Sequence, residues 1–388
     1  MIARKPLVGI VTTSRADFGI YLPVLRAIRD DGGLDLRLWV TGMHLSPEFG
    51  LTADQVAESG FAIADRIEGL LSSDSEEGVA ASMGLTTLRF GHSLNRQRPD
   101  ILVALGDRYE MHAAALAAVP LRIPIAHIHG GEETRNAIDN VFRHSLTKLA
   151  HLHFTATELA RRRVVAMGEM PDRVIVAGAP SLDNLRGMKL LDRRTLARRF
   201  GLPVEPFVLA TYHPETLKPE AARRDLAAIW SAVSAGFDGP VVFTAANADA
   251  AGRAVNRAID DLRDAHADRI TVVGTLGTLG YFSAMKAAAL MVGNSSSGII
   301  EAASLGLPVV NVGDRQAGRE RSANVIDAQA SPGALRKAIA EALSPAHRKR
   351  SASARNIYGD GAAAGRIVAG IRRFLADGAP IAKSFHLD

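Results

Sequence analysis

The sequence predicts an α/β protein of two doubly wound, Rossmann-like domains that face each other across a cleft. Three observations lead there. The chain has 388 residues, 47% of them apolar, which is more than a single core comfortably holds. Short apolar runs alternate with helical patterns through the first half, as in a parallel sheet covered on both faces. A second series of the same kind starts at Phe207.

In chain order, the first series predicts strands at Leu7–Thr12, Leu36–Thr41, Ile101–Leu105, Ile123–Ile128, Leu152–Ala156 and Val174–Ala177. Helical patterns lie between them, among them Leu22–Asp30 and Met111–Val119. The stretch from Gly178-Ala-Pro180 through the basic segment ending Gly201-Leu-Pro203 reads as the boundary. The second series predicts strands at Phe207–Thr211, Val241–Thr244, Ile270–Val273, Ala289–Val292 and Val309–Val312. After the Gly359-Asp-Gly361 turn, Gly365–Ala376 has the pattern of an amphipathic helix. The expected domains are 1–180, 181–365, and a C-terminal helix and tail, 366–388, packing back on the first domain.

Composition narrows the function classes. No segment reaches the roughly twenty apolar residues of a membrane span. The first residues lack the apolar core and cleavage site of a signal peptide, so a cytoplasmic protein is expected. Cysteine is absent, which removes disulfides, thiolate catalysis and cysteine-based zinc sites. The formal charge is +5, and the isoelectric point is near 9.6. The basic runs Arg161-Arg162-Arg163, Arg193-Arg194 and His347–Arg350 carry no interleaved aromatics and read as solvated helix faces. With 5% aromatic residues there is no base-stacking platform, so a small anion is expected rather than nucleic acid or a membrane.

The chemistry-bearing residues gather where strands end. Ile101–Leu105 delivers Gly106-Asp107-Arg108, placing an acid and a base side by side at a strand terminus, where open sheets bind ligands. The next strand delivers His127-Ile-His129-Gly-Gly-Glu132-Glu133. Two histidines alternating on one strand face could also begin a metal site, with Asp139 and His144 as further ligands, but no metal is expected. Asp139 and Arg143 stand one helical turn apart, in a pattern that also fits a surface ion pair. The first corner, Thr12-Thr-Ser14-Arg15-Ala-Asp17, lacks the GxGxxG of a dinucleotide site, so no redox cofactor is indicated. There Ser14 and Asp17 can cap a helix, and Arg15 sits where a phosphate would meet its tip.

In the second series, the strand ending at Gly293 runs into Asn294-Ser295-Ser296-Ser297-Gly298 before a helix expected at Ile299–Leu305. Small hydroxyl residues and open backbone N–H groups at a helix N-terminus form an anion cradle. Glu301 follows one turn in, within reach of a ribose's paired hydroxyls. Gly313-Asp-Arg315 and the arginines after it offer further charge to an anion. His213, opening His213-Pro214-Glu215-Thr216 at another strand end, is a candidate for proton transfer near neutral pH.

Taken in this order, the corners resemble the UDP-N-acetylglucosamine 2-epimerases, and most nearly the hydrolysing branch that serves sialic-acid and related nonulosonic-acid synthesis. The resemblance is carried by Ser14–Asp17, Gly106–Arg108, His127–Glu132, Ile138-Asp139, Arg143-His144 and Thr147–Leu149. Further on it is carried by Gly178–Ser181, His213-Pro214, Gly293–Ser296, Gly318–Glu320 and Tyr358–Gly361. These pieces span nearly the whole chain, and their combination is specific although each is short. The resemblance implies a glycosyltransferase-B-like fold, a UDP-sugar substrate, no cofactor and a homo-oligomer, either dimer or tetramer. It implies anti elimination of UDP to a glycal, followed by hydration that releases N-acetylmannosamine. It casts Asp107 as the acid/base carboxylate, with His129, Asp139 and His213 as further catalytic candidates. Arg108 would hold the sugar or its developing charge and Arg143 would bind substrate; Arg15, Ser295, Ser296 and Arg315 would serve the diphosphate, and Glu301 the ribose.

Three positions depart from relatives. His129 stands where other branches carry Glu, although bacterial hydrolysing members often show His. Asn140 replaces the second acid of a frequent Asp-Asp pair, and Ile20 stands where some relatives have Lys. Such changes could admit a 2,4-diacetamido-trideoxy sugar, as in legionaminic acid synthesis. Three other readings remain: a non-hydrolysing epimerase, a retaining glycosyltransferase, and a sugar-nucleotide sensor. Product identity, dependence on an acceptor, and binding without turnover separate them.

Overall fold

Strands buried on both faces have no use for polar alternation, and runs such as Ile101–Leu105 and Val241–Phe243 are accordingly apolar throughout and buried along their length. The computed structural model describes residues 4–47, 50–71, 75–135, 137–213, 221–246, 250–274 and 276–387. The chain divides into two compact units, one of Met1–Glu132, Asp139–Arg186 and Tyr358–Asp388, the other of Glu133–Ile138 and Gly187–Ile357. Each is a doubly wound α/β unit around its own parallel sheet.

Among the described residues the first sheet has seven strands: β1 Leu7–Thr12, β2 Asp35–Thr41, β3 Ile63–Ile67, β4 Ile101–Leu105, β5 Ile125–Ile128, β6 Leu152–Thr155 and β7 Val174–Val176. Their order is β3-β2-β1-β4-β5-β6-β7, every pair parallel. The winding reverses between β1 and β4, where Val8 pairs with Ile101, and that reversal opens a crevice at the strands' C-terminal ends. Strand β3 was not expected. Its Ile-Ala-Asp-Arg-Ile run is mostly half-exposed and charged, as an edge strand tolerates and a hydrophobic pattern search overlooks. The core includes the fully buried Tyr21, Trp39, Phe90 and Phe154.

Helix Ala363–Ala376 adds Ile367, Ile371 and Phe374 to that same core. Its start is held by Asp183, whose carboxylate accepts from the N–H groups of Ala363 (3.0 Å) and Ala364 (2.7 Å). Those are donors that a helix N-terminus otherwise leaves unsatisfied. Arg372 reaches Asp31, at the end of helix Arg15–Asp31, at 2.9 Å.

The second sheet is six-stranded among the described residues: β8 Val208–Thr211, β9 Val241–Thr244, β10 Ile270–Val273, β11 Leu290–Gly293, β12 Val309–Val312 and β13 Val325–Ala328. Its order, β10-β9-β8-β11-β12-β13, reverses at the β8/β11 pair. The unexpected β13 is again a short, partly exposed edge strand. The helix expected at Ile299–Leu305 is different in fact. An α-helix covers only Ser296–Ile300, and a tighter 3₁₀ turn follows at Ala302–Leu305. There Ser304 and Gly306 donate to carbonyls three residues back, at 3.0 and 3.1 Å. No helix among the described residues is long and apolar enough to cross a membrane.

Candidate active site

At the end of β1, Ser14 caps helix Arg15–Asp31, and Asp17 completes a reciprocal capping box. The buried Asp17 carboxylate gathers the N–H groups of Thr13 (2.8 Å) and Ser14 (3.1 Å) and the hydroxyls of Thr12 (2.7 Å) and Thr13 (2.6 Å). Asp17 therefore builds the corner. Arg15, the first helical residue, lies on the exposed side. Beyond β2, the buried His44 bridges Thr12 (2.9 Å) and Thr52 (2.7 Å). Burial pushes its imidazole below the usual range, against the pull of Asp17.

At the end of β4 the acid and the base part company. Arg108 makes a two-point bond to the buried Glu110, at 2.9 and 3.1 Å. Asp107 instead meets the guanidinium of Arg143, which is buried and rises from helix Asp139–Leu149. Arg143 is thus a buried residue and not part of a solvated helix face. It also donates to the Glu132 carbonyl and to Asn140 Oδ1, each at 2.9 Å, joining the ends of β4 and β5 to the helix. Asp139 opens that helix, half-buried, one turn before Arg143.

The two histidines around the end of β5 have different partners. His127, within the strand, spans the Gly106 carbonyl (2.8 Å) and Thr147 Oγ1 (3.2 Å), and burial brings its imidazole down to about 3. His129 lies just past the strand with φ 66°, which ends the alternation, and its Nδ1 bonds Glu132 Oε1. Among the described residues no group of three or more His, Asp or Glu side chains is arranged to hold a metal ion.

In the second unit, Asn294 links the ends of β8 and β11. Its side chain accepts from His213 N–H at 2.7 Å and donates to the His213 carbonyl at 2.8 Å. Gly293 has φ 142°, and a Cβ there would lie 1.9 Å from the Thr211 carbonyl oxygen, so this close approach requires glycine. Ser295 caps helix Ser296–Ile300 and shares a hydroxyl bond with Ser297 (2.9 Å), which Tyr281 meets at 2.6 Å. Ser296, half-buried at the helix tip, makes no side-chain hydrogen bond among the described residues. Arg315 (3.2 Å) and Gln316 (2.9 Å) both donate to the Asn294 carbonyl, which brings the Arg315 charge to the serine turn. Glu301 is buried at the end of the short helix. Burial first, and Arg315 second, lower the His213 imidazole to about 3. The expected Pro214, Glu215 and Thr216 lie outside the described residues.

The family model described as UDP-N-acetylglucosamine 2-epimerase matches residues 26–372. The chain belongs to this family. It is 36% identical over 352 residues to the "UDP-N,N'-diacetylbacillosamine 2-epimerase (hydrolyzing)" of Legionella pneumophila, covering 90% of this chain and 91% of that one. It is 35% identical over 326 residues to the "GDP/UDP-N,N'-diacetylbacillosamine 2-epimerase (hydrolyzing)" of Campylobacter jejuni, covering 84% and 85%. Its fold matches the Neisseria meningitidis UDP-GlcNAc 2-epimerase solved with UDP-GlcNAc, with a TM-score of 0.81 at 19% identity over 95% of this chain and all of that one. The two-sheet, glycosyltransferase-B-like architecture is therefore that of the 2-epimerases.

Sequence reasoning on this 2-epimerase passed over several residues that the strand ends bring together. Glu110 and Glu132 stand in the quoted motifs or beside them, and their burial was the missing fact. A signal for Glu132 existed: the two glycines Gly130 and Gly131 separate it from His129, which lets the chain turn back. For Tyr281, which arrives from helix Gly277–Ala287, no local pattern could have served.

Proposed function

We propose that this member of the 2-epimerase family hydrolyses a UDP-2-acetamido sugar, releasing UDP and the free 2-epimer. The observation that carries the reading is the ionisable set at the ends of β4 and β5 beside the β1/β4 reversal, where Asp107 and His129 lie just past strand termini and Arg143 reaches Asp107 from helix Asp139–Leu149. The hydrolysing character is supported by the names of the two relatives at 35% and 36% identity.

A base removes the C2 proton, the C2–H pair becomes the C1=C2 bond, and the C1–O bond breaks towards UDP. Water then adds its hydroxyl to C1 as a proton reaches C2 from the other face, so the configuration inverts. The C2 proton is weakly acidic, so a placed base and charge stabilisation of the leaving diphosphate share the barrier. Asp107, His129 and Asp139 are the proton-transfer groups of the first unit, and Arg108 serves the sugar. Arg15, Ser295, Ser296 and Arg315 serve the diphosphate, and Glu301 the ribose. Arg143 acts through Asp107, which it touches, rather than through the sugar. His213, neutral at pH 7 in the free protein, gains a proton more readily beside a diphosphate and so assists its departure.

Two sugars are compared directly: UDP-N-acetylglucosamine and the 2,4-diacetamido-trideoxy analogue that the two relatives' names favour. NMR of each incubation should show free 2-epimer with an equal amount of UDP, and kcat/KM should be higher for the diacetamido sugar. A UDP-linked epimer would assign the non-hydrolysing reaction. Consumption of neither sugar would remove the reading.

A further inference from the structure

We infer that Glu132 is a positioning residue: it fixes the tautomer and aim of the His129 imidazole, leaving Nε2 as the atom that moves the proton. The inference rests on the proposed role of His129 in proton transfer and adds what makes the imidazole fit for it.

Four observations converge. His129 holds φ 66°, a left-handed conformation that is uncommon outside glycine and costs energy unless its surroundings fix it. Here its N–H is tied to the Phe154 carbonyl at 2.9 Å. The next two residues, Gly130 and Gly131, turn the chain so that Glu132 returns to His129 three positions on. Gly131 has φ 76°, and a Cβ there would stand 2.2 Å from the Ala160 carbonyl oxygen, so the turn tolerates no side chain. Glu132 is 4% exposed, and its own carbonyl accepts from Arg143 at 2.9 Å, so backbone and side chain are both anchored. Lastly, Glu132 holds Nδ1, while His129 makes no other side-chain hydrogen bond among the described residues.

A carboxylate at Nδ1 requires the proton there, which puts the lone pair on Nε2. When Nε2 takes a proton, the resulting imidazolium lies against the Glu132 carboxylate and is stabilised by it, as in serine hydrolases. Charged groups on neighbouring elements include Arg143, Asp107 at the end of β4, and Arg163, which donates to the Gly131 carbonyl at 3.3 Å. Arg143 and Asp107 are bonded to each other, and Glu132 is bonded to the ring. On β5 and β6, His127 and His153 are both lowered by burial and add no positive charge at neutral pH.

The test uses the full chain labelled with 15N-histidine, with the His129 signals assigned by their loss in His129→Gln. Long-range 1H–15N spectra of wild type should show the Nδ1–H tautomer with a bare Nε2. In Glu132→Gln the acid limb of the pH–kcat profile should move, with kcat down about 100-fold or more and KM within a few-fold. An Nε2–H tautomer in wild type, or an unchanged pH–kcat profile in Glu132→Gln, would overturn the inference. The wild-type spectrum decides alone if the variant does not fold. Full turnover in His129→Ala would instead remove the proton-transfer role of His129 and leave the tautomer result standing.

Discussion

Asp107 meets the guanidinium of Arg143, a residue that is itself 1% exposed and bonded to the Glu132 carbonyl and to Asn140. The arrangement separates two effects that one substitution would otherwise confuse. Asp107→Asn keeps an oxygen for Arg143 but loses the charge and the proton-accepting power. Its kcat should fall by about 10²–10⁴-fold with the melting temperature nearly unchanged. Near-normal turnover would strike Asp107 from the proposed machinery. Arg143→Met acts the other way, since it strands the buried Glu132 carbonyl as well as Asp107. Urea unfolding should show a loss of about 1–3 kcal/mol together with the loss of activity. Unchanged stability would mean that water replaces those bonds without cost.

Among the elements, the close approach of β11 to β8 makes a separate prediction. A methyl at Gly293 cannot be placed against the Thr211 carbonyl, and φ 142° is costly for any residue with a Cβ. Gly293→Ala should therefore displace the serine turn and weaken UDP binding by an order of magnitude or more in calorimetry, whereas Ser296→Ala should weaken it only a few-fold. Equal affinities for wild type and Gly293→Ala would separate the turn from the nucleotide. The elements that could be read from sequence were those whose physics is local. Val/Ile/Leu runs such as Ile101–Leu105 and Val241–Thr244 stood out because full burial excludes polar residues. Strands β3 and β13 were hidden because edge strands need no such pattern. The strand-end acids and the serine turn were legible for the same local reason. The inward aim of Arg143 and the arrival of Tyr281 depend on tertiary packing, which a linear pattern does not contain.

For the molecule as a whole, buried imidazoles set the response to acid. Burial lowers His127 and His213 to about 3, and burial with Lys383 lowers His151 to about 4, whereas in the unfolded chain each titrates near its usual 6.5. Below pH 6.5 the unfolded chain thus binds protons that the folded one refuses, and stability falls from there towards pH 3–4. Burial alone would raise Glu169, but hydrogen bonds from His153, Lys148 and Lys383 outweigh it and bring its carboxyl to about 2. The stability this carboxylate supplies is present above its unfolded pKa near 4.5 and disappears as pH drops towards 2. His127 and His151 belong to the first unit and His213 to the second, so the first unit should lose more stability than the second between pH 7 and 4. Hydrogen exchange measured at both pH values would show it, and equal losses in the two units would contradict it.

The most direct test of the central claim is the fate of solvent atoms in a single incubation with the UDP-2-acetamido sugar in deuterated, 18O-enriched water. Elimination followed by hydration predicts a free sugar with deuterium at C2, inverted configuration there, and UDP without 18O. A C2 position that keeps its original proton, or 18O in the UDP phosphate, would contradict it.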